Sequence, residues 1–454
     1  MRQHDPVRPP RPSRKHRAIE LGKDFLILLL TCSALLLAAR TGLYAVGGRA
    51  WLEQLTGLIQ GDGAPSPVPE SPGGAESLLQ PVRLAVCLSG GENIRRYGVQ
   101  YDTDQTVRDY AALSGFLGEA LASARNPHPV SAQTWRAALE TPGLYFDLLG
   151  SIPLTALCHW AAEDGRAQTA FSGAARHLVL AAPEEGETAI LFYRDEAQGL
   201  FYACTTSVLW TDYLEQALTS YADNGARFAY ELPEAHYGGL SPEVLILPEP
   251  PAPERYQVAI PLDLSDDGVR AELERALGFR GSDYPVPGEW VLRDGDTLRL
   301  AADGTIFFTA EECGPVRYPV GEGAVDVIEG LYALFSSARS AWCGSSGSEG
   351  QVCLLSAEEQ DGGAWDVTFG YVLDGAPVLI NGHPAASFRV EHGQVTRYEM
   401  HLRCYTATGE ETLVLPELQA AAVLEQLANG ASVRELALCY EDDGAAAQAE
   451  WKAR

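Results

Sequence analysis

Lysine is almost absent: Lys15, Lys23 and Lys452 are the only three in 454 residues. A phosphate-binding loop of the G-x-x-x-x-G-K-S/T kind therefore cannot be built. The segment Leu88-Ser-Gly-Gly-Glu92, which looks like an ATPase signature loop, then reads as a turn at a strand end. Positive charge is scarce in general. The net charge is −28, and the first 23 residues hold seven bases and two acids, leaving 26 bases against 59 acids in the rest. So acidic a body excludes nucleic acid as a partner, because few phosphates can be neutralised. It is also repelled by anionic surfaces. None of the nine cysteines forms a C-x-x-C pair, which excludes a thiol-redox motif and a zinc ribbon. Cys343 and Cys353 flank a Gly/Ser-rich loop; they either close it with a disulfide or remain separate buried thiols.

Long apolar runs are equally rare, and the one that exists organises the chain. Residues 25–39 (FLILLLTCSALLLAA) carry no charge. Fifteen helical residues rise about 22 Å, short of a bilayer core of roughly 30 Å. Counting on to Val46, past a single Arg40 near the end, gives about 33 Å. The preceding arm carries Arg2, Arg8, Arg11, Arg14, Lys15, Arg17 and Lys23. The positive-inside rule puts that arm in the cytoplasm and the bulk of the chain outside the cell membrane. A cleaved signal peptide is the competing reading, but no Ala-x-Ala site follows the run. A lipoprotein reading at Cys32 fails on Thr31 before it. Within the span, Ser33, Ala34 and Ala38 offer a small-residue face, the candidate contact for a partner helix in the bilayer.

The expected organisation follows composition and periodicity. Residues 1–24 form a basic cytoplasmic tail, 25–46 the transmembrane helix, and 47–81 a Pro/Gly-rich linker. Residues 82–250 read as an α+β ectodomain, with helices at 103–124 (Thr106…Asp109 as capping box), 131–139, 154–161 and 208–221. After the break PEPPAP, residues 255–315 and 320–442 read as two helix-plus-sheet units, with 443–454 as a frayed tail. The fold class is α+β: antiparallel sheets with packed helices behind one transmembrane helix. In the strand expected at 394–406, Tyr398, Met400, Leu402 and Cys404 should face a core. Arg397, Glu399, His401 and Arg403 should face solvent. Val291-Leu-Arg-Asp-Gly295 and the hairpin after it recur as Val378-Leu-Ile-Asn-Gly382 and its hairpin, suggesting an internal repeat.

No chemistry announces itself. Asp263…Glu274 has calcium-loop spacing, but a strand with Pro261 precedes it and Arg270 sits at its eighth position, so a capped helix start is expected. Gly344…Gly350 is not a nucleophile elbow. His383, His392 and His401 are nine apart, which is not metal spacing. No catalytic, cofactor or metal residue is expected.

The layout, together with Trp290-Val-Leu-Arg-Asp-Gly295, Leu298-Arg-Leu-Ala-Ala-Asp-Gly-Thr-Ile-Phe-Phe308, Gly370-Tyr-Val-Leu-Asp-Gly-Ala-Pro-Val378 and Phe388-Arg-Val-Glu-His-Gly-Gln-Val-Thr-Arg-Tyr398, resembles the YycH/YycI family. Its members are membrane-anchored accessory proteins of the WalK (YycG) sensor kinase in Gram-positive bacteria. The resemblance implies a non-enzymatic two-component regulator that contacts a sensor histidine kinase through its span and outer domain and acts on cell-wall metabolism. A paralogous accessory protein and the lipid bilayer are its other implied partners. An envelope scaffold or ligand-binding protein is the alternative, and a wall hydrolase a more distant one.

Overall fold

The computed structural model describes residues 74–89, 94–161, 171–259, 266–280, 282–311, 314, 316–344, 348–427 and 434–453. Ser33, Ala34, Ala38 and the whole expected span, 25–46, lie outside the described residues, as do 90–93, 263–265 and 345–347. Among the described residues no helix is long and apolar enough to cross a membrane.

Seven strands build the first sheet: β1 (Arg83–Ser89), β2 (Arg95–Gln100), β3 (Arg125–Val130), β4 (Gly143–Pro153), β5 (Ala174–Ala181), β6 (Thr188–Asp195) and β7 (Leu200–Leu209). Their spatial order is β2-β1-β4-β5-β6-β7-β3, antiparallel throughout. Helices cover both faces. On one, α1 (Thr103–Ser123) packs with Leu84, Val86, Leu144 and Phe146; on the other, α2 (Ala132–Glu140) packs Trp135 against Ala85, Tyr145 and Val179. A strand buried on both faces loses its polar alternation, which is why β4 reads as GLYFDLLG. The cap of α1 is Asp102, accepting from Gln105 N at 2.8 Å, and not the expected Thr106…Asp109 box. Asp109 instead accepts from Tyr97 OH at 2.6 Å. The expected helix 208–221 is helical over residues 210–218, a π-helical turn at Trp210–Leu214 continued by an α-turn at Glu215–Leu218, while Val208 and Leu209 close β7, which pairs with β6 as far as Leu209.

After α3 (Leu154–Ala161) and a small ribbon, β8 (Arg227–Phe228) with β9 (Leu245–Ile246), the chain continues as β10 (Glu254–Ala259) and α4 (Asp267–Ala276). Asp266 caps α4 through Gly268 N and Val269 N, a helix start as expected. Then come β11 (Ser282–Val286), β12 (Glu289–Asp294), β13 (Asp296–Ala301), β14 (Thr305–Thr309) and α5 (Ala324–Cys343). They are followed by β15 (Gln351–Gln360), β16 (Ala364–Leu373), β17 (Ala376–Ile380), β18 (Ala386–Glu391), β19 (Gln394–His401), β20 (Cys404–Glu411), α6 (Glu417–Leu427), β21 (Leu436–Asp442) and β22 (Ala446–Ala453). An antiparallel row β11-β12-β13-β14-β19-β18-β16-β15 holds two helix-plus-four-strand units edge to edge, meeting at Thr305↔His401 and Phe308↔Tyr398. Their helices α4 and α5 pack together. The repeat is therefore structural, with one adjustment. β13 and β14 match β18 and β19, but Val378–Ile380 lies in β17, an extra strand, and β16 occupies the place of β12.

Four further findings correct the sequence reading. Cys343 bonds Cys404, not Cys353, tying the end of α5 to the start of β20. The strand 394–406 breaks after His401, and both His401 and Arg403 are buried. Arg403 Nη1 donates to Asp303 O at 2.7 Å and to Leu402 O at 2.9 Å, and its Nε lies 3.4 Å from Asp442 Oδ2, which meets the charge inside the protein. The last residues do not fray: β22 pairs with β21 and β10.

The first sheet and the later strands share one core, from Leu84 to Tyr440. β4 bulges between Asp147 and Ile152 and there meets β15 in parallel at Ser151↔Ser356. Leu149 takes a left-handed φ of 67°, and its N–H donates to Asp147 Oδ1 at 2.8 Å. Gly150 allows the approach, since a Cβ there would run into the Leu354 carbonyl. Trp160 Nε1–H donates to Glu329 Oε1 at 2.9 Å, linking α3 to α5.

Candidate functional site

The bulge in β4 turns a lone carboxylate, Asp147, into a row of charges. In register, Arg83 of β1 and His177 of β5 flank Asp147 on its two sides. Arg83 Nη1 donates to Asp147 Oδ2 at 2.8 Å. Arg176 donates to both oxygens, Nε to Oδ1 at 2.8 Å and Nη2 to Oδ2 at 3.0 Å. Arg176 also grips Glu435, just before β21, through Nη2–Oε1 at 2.6 Å and Nη1–Oε2 at 3.1 Å. Around this centre, His177 Nδ1 lies 2.8 Å from Glu196 Oε1, Arg194 Nη1 lies 3.4 Å from Glu243 Oε1, and Trp135 Nε1–H donates to Glu243 Oε1 at 2.9 Å.

The charged groups among these line a cavity of about 160 Å³. Arg83, Arg176, Arg194 and Arg434 face Asp147, Glu196, Glu243 and Glu435, so the lining is close to neutral. Burial alone would raise the Asp147 carboxyl; Arg176, His177 and Arg83 together outweigh it and hold it well below the usual carboxylate range. Burial likewise acts upward on Glu435, yet Arg176 and then Arg83 bring it down to about 2. Both acids are thus committed to their arginines. Ligand sites for metabolites are commonly about 300–1,000 Å³. A smaller space whose central acids, Asp147 and Glu435, are already paired with Arg83 and Arg176 is suited to locking elements together: it fastens the segment before β21 onto β1, β4 and β5. Beside it Tyr101 OH accepts from Leu438 N at 3.1 Å, and Gln100 Nε2 donates to Glu417 Oε1 at 3.0 Å. Burial is the main cause that pushes Glu417 up to about 8.

None of these residues was among the sequence candidates. One signal was available: a single Asp inside an apolar strand has to be paired if that strand is buried. Of the three spaced histidines, the fold brings His383 and His401 together, with ring centroids 5.7 Å apart.

The architecture defines a class: a mixed α+β, sheet-dominated protein whose later strands lock onto an N-terminal seven-stranded sheet. It is similar to the crystal structure of YycH from Bacillus subtilis, with a TM-score of 0.50 and 11% identity over 83% of this chain and 94% of that one. The likeness is one of fold, and it agrees with the resemblance read from the strand-and-turn segments. No family model matches the sequence, and no curated protein matches it.

Proposed function

We propose that the chain is a non-enzymatic, single-pass accessory protein of a two-component system. Residues 25–46 anchor it, the basic tail lies in the cytoplasm, and the body from residue 47 is extracytoplasmic. It binds a WalK-like sensor histidine kinase and modulates its activity in the control of cell-wall metabolism, with a paralogous accessory protein as a further partner. Ser33, Ala34 and Ala38 are the proposed contact in the bilayer.

The observation that carries this reading is the likeness to YycH across most of both chains. The basic arm, apolar run and linker, in that order, support it. The Cys343–Cys404 disulfide is compatible with an oxidising compartment. The alternative of an envelope ligand-binding protein gains little from a neutral cavity of about 160 Å³. Two measurements test the proposal. Protease added outside intact cells should degrade the body and spare the N-terminal tail. Deleting the gene should change phosphorylation of the kinase's response regulator. A body protected from external protease, or unchanged phosphorylation, would overturn it.

A further inference from the structure

Alternation along β19 puts Glu399 and His401 on one face of the strand. The turn after β17 then returns His383 to them. The ligating atoms of His383, Glu399 and His401 all lie within 4.8 Å of one another. His401 Nε2 is 3.2 Å from Glu399 Oε1. In a tetrahedral zinc set with bonds near 2.0–2.1 Å, neighbouring ligand atoms stand about 3.3 Å apart. The Glu399–His401 pair therefore already has ligand spacing, and His383 needs a shift on the order of 1.5 Å.

The backbone under all three is held in place. His383 exchanges two hydrogen bonds with Ile380, its N–H to Ile380 O at 2.9 Å and its O from Ile380 N at 3.1 Å. His401 N donates to Ala385 O at 2.7 Å. On the ring's far side, His401 Nδ1 lies 3.1 Å from Thr305 Oγ1 of β14. That hydroxyl oxygen can accept the Nδ1–H of a histidine bound to a metal through Nε2, as supporting groups do around metal-bound histidines. The exposed His383 leaves the cluster open to solvent on one side, while His401 is buried. The Arg403 charge reaches His401, but Arg403 lies 3.4 Å from Asp442 Oδ2, and the carboxylates of Glu399 and Asp303 act on His401 in the opposite sense.

We propose that His383, Glu399 and His401 form a site for a divalent transition metal, zinc by its donor set, with the fourth position open to water. The bound ion would clip the turn after β17 to β19, beside the β14–β19 pairing that joins the two repeat units. The proposal does not depend on the kinase-regulator reading.

The test uses the full chain in detergent, stripped with EDTA, dialysed and titrated with zinc chloride by calorimetry. The expected result is one saturable equivalent whose affinity falls at least tenfold in His383→Ala and in Glu399→Gln. His392→Ala should bind as the parent does. His383 is exposed and Glu399 half-buried, so an unchanged circular dichroism spectrum should accompany both losses. Absence of a saturable equivalent, or an equivalent that survives both ligand variants, would overturn the proposal; the latter would place the metal on other groups.

Discussion

Replacing Asp147 by asparagine removes one charge from the centre of the lock while keeping its shape. Asp147 is about 1% exposed, and it faces two guanidiniums that are themselves largely buried. Breaking a buried ion pair from one side costs about 3–5 kcal/mol, because the partner's charge is left uncompensated. Here Glu435 stays bidentate on Arg176 and lies 3.7 Å from Arg83, so the loss falls at the lower end, about 3 kcal/mol. Urea denaturation at pH 7, followed by the fluorescence of the buried tryptophans, reads it. With a slope near 3 kcal/mol per M, the midpoint drops by about 1 M. Adding Arg83→Met should recover part of the loss, because Arg83 has lost its close carboxylate partner while Arg176 keeps Glu435. The pH dependence has a definite sign. Asp147 and Glu435 both titrate below their ordinary values, so their contribution is fully present above about pH 4.5 and is lost as pH falls toward 2 and below. Asp147→Asn should flatten that acid limb. A loss under 1 kcal/mol at pH 7, or an unchanged acid limb, would refute the view that this network holds the segment before β21 in place.

Three further outcomes follow from the packing. Glu417 is buried with its carboxyl raised to about 8 from an ordinary value of 4.5, so it costs stability increasingly as pH rises between those values; Glu417→Gln should gain about 1–3 kcal/mol at pH 7 and almost nothing at pH 4, with equal gains at both contradicting the argument. Replacing Cys343 and Cys404 together by alanine opens a loop spanning 61 residues and should lower stability by about 4 kcal/mol on chain entropy, as measured by denaturation without reductant; a loss under 1 kcal/mol would contradict it. Gly150→Ala drives a methyl into the Leu354 carbonyl at the β4–β15 junction and should cost about 1–3 kcal/mol, seen as a lower melting temperature; an unchanged value would mean that the junction bears no load.

What the sequence revealed, and what it hid, divides along physical lines. Surface helices and half-exposed hairpins were legible because one face alternates with another. α1, α2 and α3 fell where periodicity put them, and the capped start of α4 and the hairpin after Val291–Gly295 fell where their capping and turn residues did. β4 was missed because helices on both faces leave no polar alternation to read. β22 was missed because AAQAEWKA has weak strand propensity, and pairing with β21 and β10 overrides it. The charged lock was invisible as a motif. Its members come from positions 83, 147, 176 and 435, and only the register of three strands aligns them. His383, Glu399 and His401 were obscured in the same way: a turn of unknown reach separates the first from the other two, and strand alternation alone could have paired only Glu399 with His401. The Cys343–Cys404 bond connects a helix end to a strand start across two hairpins, whereas the sequence suggested the loop-flanking pair Cys343 and Cys353.

Engagement of a sensor histidine kinase at the membrane is the proposed function of this chain. Crosslinking in intact membranes tests it most directly, comparing the native chain with one whose residues 25–46 are replaced by an unrelated span. The account predicts that a histidine kinase is captured with the native chain, and that capture is lost or greatly reduced when the span, with Ser33, Ala34 and Ala38, is exchanged. Capture of no histidine kinase by either chain would contradict it.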